Sequence, residues 1–89
     1  MRTVYVNGSY LPENEAQISI FDRGFLMADG VYEVTSVLDG KLIDFDGHAV
    51  RLGRSLTELD MRNPISKEDL LEVHRELVRV TEIDAGLIY

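Results

Sequence analysis

From Thr3 to Leu11 apolar and polar residues alternate on either side of Asn7-Gly8, a dipeptide suited to a tight turn whose central positions need positive φ. The alternation predicts paired strands at Thr3–Val6 and Ser9–Leu11. "ENEAQISI" loses that alternation and reads as polar connection leading to a short apolar piece, Ile18–Phe21. A run rich in β-branched residues, "VYEVTSVL", then meets Asp39-Gly40 and returns as "KLIDF", a second hairpin. From Asp46 the period changes. Phe45, Ala49, Leu52, Leu56 and Leu59 form one stripe of a helix, whose tail is closed by Pro64. Ser66-Lys67-Glu68-Asp69 reads as a helix start, because the serine oxygen can accept from first-turn amides and acids suit the positive helix end. Leu70, Val73, Leu77 and Val80 carry the second helix's stripe. Gly86 is placed to stop that helix, and Leu87-Ile88-Tyr89 to begin a strand. Strands, two helices and a strand predict an α+β fold, with an antiparallel sheet of β-hairpins packed against two helices.

Composition narrows the classes of function. The 89 residues make one domain at most, 45% apolar and 28% charged, the balance of an ordinary globular chain. A net charge of −7 and the lack of a basic run disfavour a nucleic-acid partner. Without cysteine there is no disulfide, thiol nucleophile or thiolate metal site, which fits the cytoplasm. No apolar run approaches the roughly 20 residues of a membrane span, and "MRTVYVNG" has no signal-peptide h-region. The expectation is a soluble, acidic, cytoplasmic protein with no membrane partner. The final apolar triplet is an odd place for a chain to stop, so truncation is expected.

Few residues suggest chemistry on their own. Lys41 follows a turn and Lys67 opens a helix, positions normally solvated, whereas an imine-forming lysine needs a lowered pKa. His74 falls between Leu70 and Leu77 on an apolar arc and is expected to be packed and hydrogen-bonded. No zinc ligand set and no nucleophile elbow is present. The one constellation is His48, Arg51 and Ser55, which helical spacing sets along one flank. A guanidinium fork beside a histidine and a hydroxyl suits a phosphate; an amphipathic edge with a snorkelling arginine is the simpler reading of the same spacing. Tyr32, on the opposite strand face from Val31 and Glu33, is expected to be amphipathic core.

"YVNG", "ISIFDRGFLMADGVYEV", "LDGKLIDF" and "HAVRLGRSL" follow in order along nearly the whole chain. Together they resemble the N-terminal part of the class IV (fold type IV) pyridoxal-phosphate aminotransferases, most closely the D-amino-acid aminotransferases, with "DGVYEV" the discriminating piece. The resemblance implies a small N-terminal domain spanning residues 1–89, with "DRGFLMADG" as a loop leading into a strand beside the active site and near the partner of a homodimer. It implies that Arg51 binds the phosphate of pyridoxal 5'-phosphate, that Tyr32 helps form the substrate pocket, and that His48 supports the site. No metal is implied.

The same resemblance places the Schiff-base lysine and the cofactor's glutamate partner downstream, so no catalytic residue is expected in this chain. The intact protein would transfer the amino group of an amino acid, such as D-alanine, to a 2-oxo acid, and the 89 residues alone would be inactive. Alternatives are a branched-chain aminotransferase or aminodeoxychorismate lyase of the same family, or a standalone α+β interaction module.

Overall fold

Asn7 and Gly8 take φ of 50° and 90°, and the turn they make joins β1 (Thr3–Val6) to β2 (Ser9–Pro12) in the register Thr3↔Pro12 to Val6↔Ser9. Tyr5 and Tyr10 face each other across this pair, ring centroids 5.0 Å apart, a cross-strand contact that fixes the register. The hairpin's open end is fastened by Arg2 and Glu13. The Glu13 amide donates to the Arg2 carbonyl at 2.9 Å, and Arg2 Nε donates to the Glu13 carboxylate at 2.8 Å.

The computed structural model describes all residues, Met1–Tyr89, in two units, Met1–Gly30 and Val31–Tyr89. In the first, the segment expected to be loop contains a helix, α1 (Arg23–Met27). The Asp22 carboxylate accepts from the Gly24 amide at 2.8 Å, the usual service of an N-cap. Ala28 ends the helix in the left-handed region, and Arg23 pairs with Asp29 at 2.7 Å. Five residues are too few for an apolar stripe to reveal this helix; the Asp-x-Gly cap was its only signal.

The second unit is a three-stranded antiparallel sheet of order β4-β3-β5 with two longer helices. β3 (Thr35–Leu38) pairs with β4 (Lys41–Leu42) across the Asp39-Gly40 turn, whose φ values of 52° and 70° repeat the first hairpin's conformation. On its other side β3 pairs with β5 (Ala85–Ile88), Thr35 opposite Ile88 and Leu38 opposite Ala85. α2 spans Phe45–Glu58 and α3 spans Lys67–Thr81. Ser66 accepts from the Asp69 amide at 3.1 Å, as its cap signal suggested. Val37, Phe45, Leu56 and Val73 are the buried apolar residues, and Thr35 is the only fully buried side chain. No helix is long and apolar enough to cross a membrane.

The structure is α+β with antiparallel hairpins, and several boundaries differ from the sequence reading. β3 starts at Thr35 rather than Val31, and β4 is two residues long because Asp44 turns left-handed to cap α2. α2 ends at Glu58, well before Pro64. α3 is stopped by Glu82 in the left-handed region, whereas Gly86 lies inside β5 opposite Val37. A Cβ at Gly86 would press on the tip of the Ile83 side chain, which would have to shift to make room. Leu59 and Val80 close their stripes on exposed positions.

Truncating Leu56, 7% exposed, to alanine should cost about 2–5 kcal/mol in urea unfolding. Val50→Ala, at an exposed position of the same helix, should change stability by no more than about 0.5 kcal/mol.

Candidate functional site

In β3, residues of one parity share one face. Thr35 and Val37 of that parity are buried, and Glu33 precedes them at the same spacing. Its side chain is accordingly only 12% exposed. A carboxylate in that position requires partners, since an unpaired buried charge is costly. The start of α2 provides them. Asp44, at φ 53°, accepts from the Gly47 amide at 3.2 Å and so sets where the helix begins. His48 and Arg51 follow on its first turns, three residues apart and therefore neighbours on the helix surface.

All three side chains meet. Arg51 Nε donates to Glu33 Oε2 and Arg51 Nη2 to Glu33 Oε1, both at 2.7 Å, the paired fork that guanidinium and carboxylate geometry favours. His48 Nδ1 lies 2.7 Å from Glu33 Oε1. An ionised carboxylate can only accept, so His48 Nδ1 carries the hydrogen. The bonds from Arg51 are the largest influence on Glu33 and hold its pKa down to about 2. Partial burial works against them, and the bond from His48 adds to them.

Two of the five N–H bonds of Arg51 are engaged in this fork, which leaves three uncommitted on a side chain that is 56% exposed. The arrangement is an oriented cation whose inner edge is neutralised and whose outer edge can donate to an anion. Ser55, read with this pair on spacing, is not joined to it by any hydrogen bond. Tyr32 is not core: it is 67% exposed, and its ring stacks on Tyr89 with centroids 5.5 Å apart and planes 18° from parallel. His74 is packed as its position suggested. Its Nδ1 donates to the Leu70 carbonyl at 2.9 Å, its ring meets Phe45 edge-on, and burial lowers its pKa. Lys67 pairs with Asp46 at 2.8 Å, which raises its pKa, and Lys41 is exposed.

Glu33 is the residue the sequence reading missed. Its signal was parity: counted back from Val37 and Thr35 to the segment ahead of β3, it is a carboxylate on the core side, which calls for a cation nearby.

No family model matches the chain. Over all 89 residues it is 39% identical to the D-alanine aminotransferase of Staphylococcus haemolyticus and 37% identical to that of Staphylococcus aureus (strain MSSA476). Over 83 residues, 93% of the chain, it is 37% identical to the aminodeoxychorismate lyase of Bacillus subtilis (strain 168). It spans 32%, 32% and 28% of those relatives, about a third of their length. These likenesses bear out the resemblance carried by the motifs: along its whole length the chain is similar to class IV pyridoxal-phosphate enzymes.

The pairing has a signature in acid. Glu33 titrates near 2 when folded against an ordinary value of 4.5, so the unfolded chain takes up the proton first as pH falls. Its stabilising contribution is complete above about pH 4.5 and is lost as pH falls towards 2. In denaturant titrations across that window, the unmutated chain should lose stability relative to Glu33→Gln. A pH-independent difference would show that the carboxylate is not held by its partners.

Proposed function

We propose that the chain is the N-terminal small domain of a pyridoxal-phosphate-dependent aminotransferase, acting in the cytoplasm on an amino acid such as D-alanine and a 2-oxo acid. The observation that carries this reading is the oriented Arg51 fork in a chain similar throughout to proteins named D-alanine aminotransferase.

The residues present fit a phosphate. Arg51 has three N–H bonds to give, from a partly exposed guanidinium whose plane is set by Glu33. The Glu33 charge beside it is matched by Arg51 and by the His48 hydrogen bond, so an incoming anion meets a donor edge rather than a bare carboxylate. When bound, the cofactor supplies the conjugated ring that carries the amino group between the two acids. Arg51 holds its phosphate, and His48 supports Arg51 through their shared carboxylate. Tyr32 offers a phenol hydroxyl from an exposed ring to the substrate carboxylate. The Schiff-base lysine lies outside these 89 residues, since Lys67 is protonated and paired and Lys41 is solvated. A second copy of the protein is the proposed partner. Support for it comes from Ile18, Ile20, Phe21, Phe25, Leu26 and Met27, each more than half exposed, an apolar run that a free surface seldom carries.

The likeness to the aminodeoxychorismate lyase favours a second reading, a lyase on that substrate. Assaying the full-length protein with D-alanine and a 2-oxo acid, and separately with aminodeoxychorismate, decides between them.

Arg51→Ala removes at least one charge-assisted contact and should weaken cofactor binding by the full-length protein about tenfold or more. Unchanged affinity in an equilibrium titration would remove Arg51 from the phosphate site. The 89 residues alone should neither transaminate D- or L-amino acids nor form a specific bond to the cofactor. After mixing with excess cofactor and reduction with borohydride, mass spectrometry should find low, scattered labelling of Met1, Lys41 and Lys67. Stoichiometric labelling of one lysine together with turnover would contradict the assignment of the catalytic lysine to a region outside this chain.

A further inference from the structure

The chain makes the same tight turn twice, with different chemistry at each. Asn7-Gly8 and Asp39-Gly40 both close hairpins with positive φ at each position, 50° and 90° in one, 52° and 70° in the other. At the second turn the glycine amide is engaged, donating to the Asp84 carbonyl at 3.0 Å. The Gly8 amide donates to no group, and the space where a Gly8 Cβ would stand is open. An asparagine carboxamide one residue ahead of a free glycine amide is an electrophile beside a nucleophile. Gly8 has no side chain to hinder their approach and bends readily. The other asparagines lack this arrangement. Asn14 precedes Glu15, whose side chain crowds the amide. Asn63 precedes Pro64, which has no N–H to lose, and its carboxamide oxygen already accepts from the Ile65 amide at 3.2 Å.

We propose that Asn7 is a site of spontaneous deamidation, and that its β-aspartyl product opens the β1–β2 hairpin. The Gly8 amide nitrogen gives up its proton to solvent base and bonds to Asn7 Cγ. The bond from Cγ to Nδ2 breaks, and Nδ2 leaves as ammonia with a proton from water. The cyclic imide then takes up a water molecule. Opening at Cγ leaves an aspartate in an ordinary backbone, whereas opening at the main-chain carbonyl routes the backbone through the side chain and lengthens it by a methylene. Asparagine and water go in; acid and ammonia come out. A tight hairpin turn has no slack for an added backbone atom, because loop length fixes the register. Nor does a core hold the strands in place. No residue of Met1–Gly30 is buried, and the pair rests on the Tyr5–Tyr10 contact and the Arg2–Glu13 fastening.

The test holds the full-length protein at mildly alkaline pH and maps it by peptide mass spectrometry, with α- and β-aspartyl peptides separated by chromatography. Asn7 should be converted several times faster than Asn14, with Asn63 untouched. Conversion should quicken as pH rises, since the attacking nitrogen must lose its proton. No β-aspartyl product should accumulate at Asp39, whose glycine amide is held by Asp84. In NMR spectra of the β-aspartyl product, the cross-strand contacts between the Tyr5 and Tyr10 rings should be lost. Freshly prepared Asn7→Asp, which carries the product's charge in an ordinary backbone, should keep them. Retention of the Asn7 amide, or equal conversion at Asn14, would overturn the assignment of the site. A β-aspartyl product with the Tyr5–Tyr10 contacts intact, or fresh Asn7→Asp without them, would overturn the claim that the lengthened backbone opens the hairpin.

Discussion

One carboxylate, that of Glu33, joins the segment before β3 to the first turns of α2. It is the most buried charged partner in the second unit's ion pairs, at 12% exposure, and it is tolerated because both its oxygens are met by donors. The consequence for Arg51 is geometric. A lone arginine on a helix surface samples many rotamers, whereas the two-point fork fixes the plane of its guanidinium and so the direction of its remaining N–H bonds. Lysine in its place would keep the charge and lose the plane. The orientation of the proposed phosphate ligand therefore depends on a residue just ahead of β3, eighteen positions earlier in the chain.

Where local chemistry decides structure, the sequence reading and the structure agree. The Asn7-Gly8 and Asp39-Gly40 turns need positive φ and have it, and the Ser66 cap forms as its spacing indicates. Phe45, Leu56 and Val73 are buried on the stripes that helical periodicity marked. Disagreements arise where tertiary context overrides a local signal. Gly86 resembles a helix stop, but Glu82 stops α3 and the glycine lies inside β5. Tyr32 resembles half-buried core, but its ring is 67% exposed and stacks on Tyr89.

The site was legible in part for the same reason. His48 and Arg51 are close in sequence, so helical spacing alone brought them together, and Ser55, on the same spacing, was grouped with them although no bond joins it. Glu33 is distant in sequence, and only counting strand parity back from buried Thr35 would have placed it beside them. Resemblance assigned roles to Arg51, Tyr32 and His48, and the geometry adds the physical link between two of those three.

The first unit is built differently. No residue in it is buried, and its hairpin is held by the Tyr5–Tyr10 contact and the Arg2–Glu13 pair rather than by a core. Its exposed apolar run makes sense for a surface that is covered in use, which is why a partner copy is part of the functional proposal. The account's central claim, that Glu33 is ionised and held in the fork that orients Arg51, is tested most directly by following the Glu33 side-chain carboxyl carbon by NMR through an acid titration of the folded chain. The account predicts a midpoint near 2. A midpoint near the ordinary 4.5 would mean that the fork does not form and that Arg51 is oriented by something else.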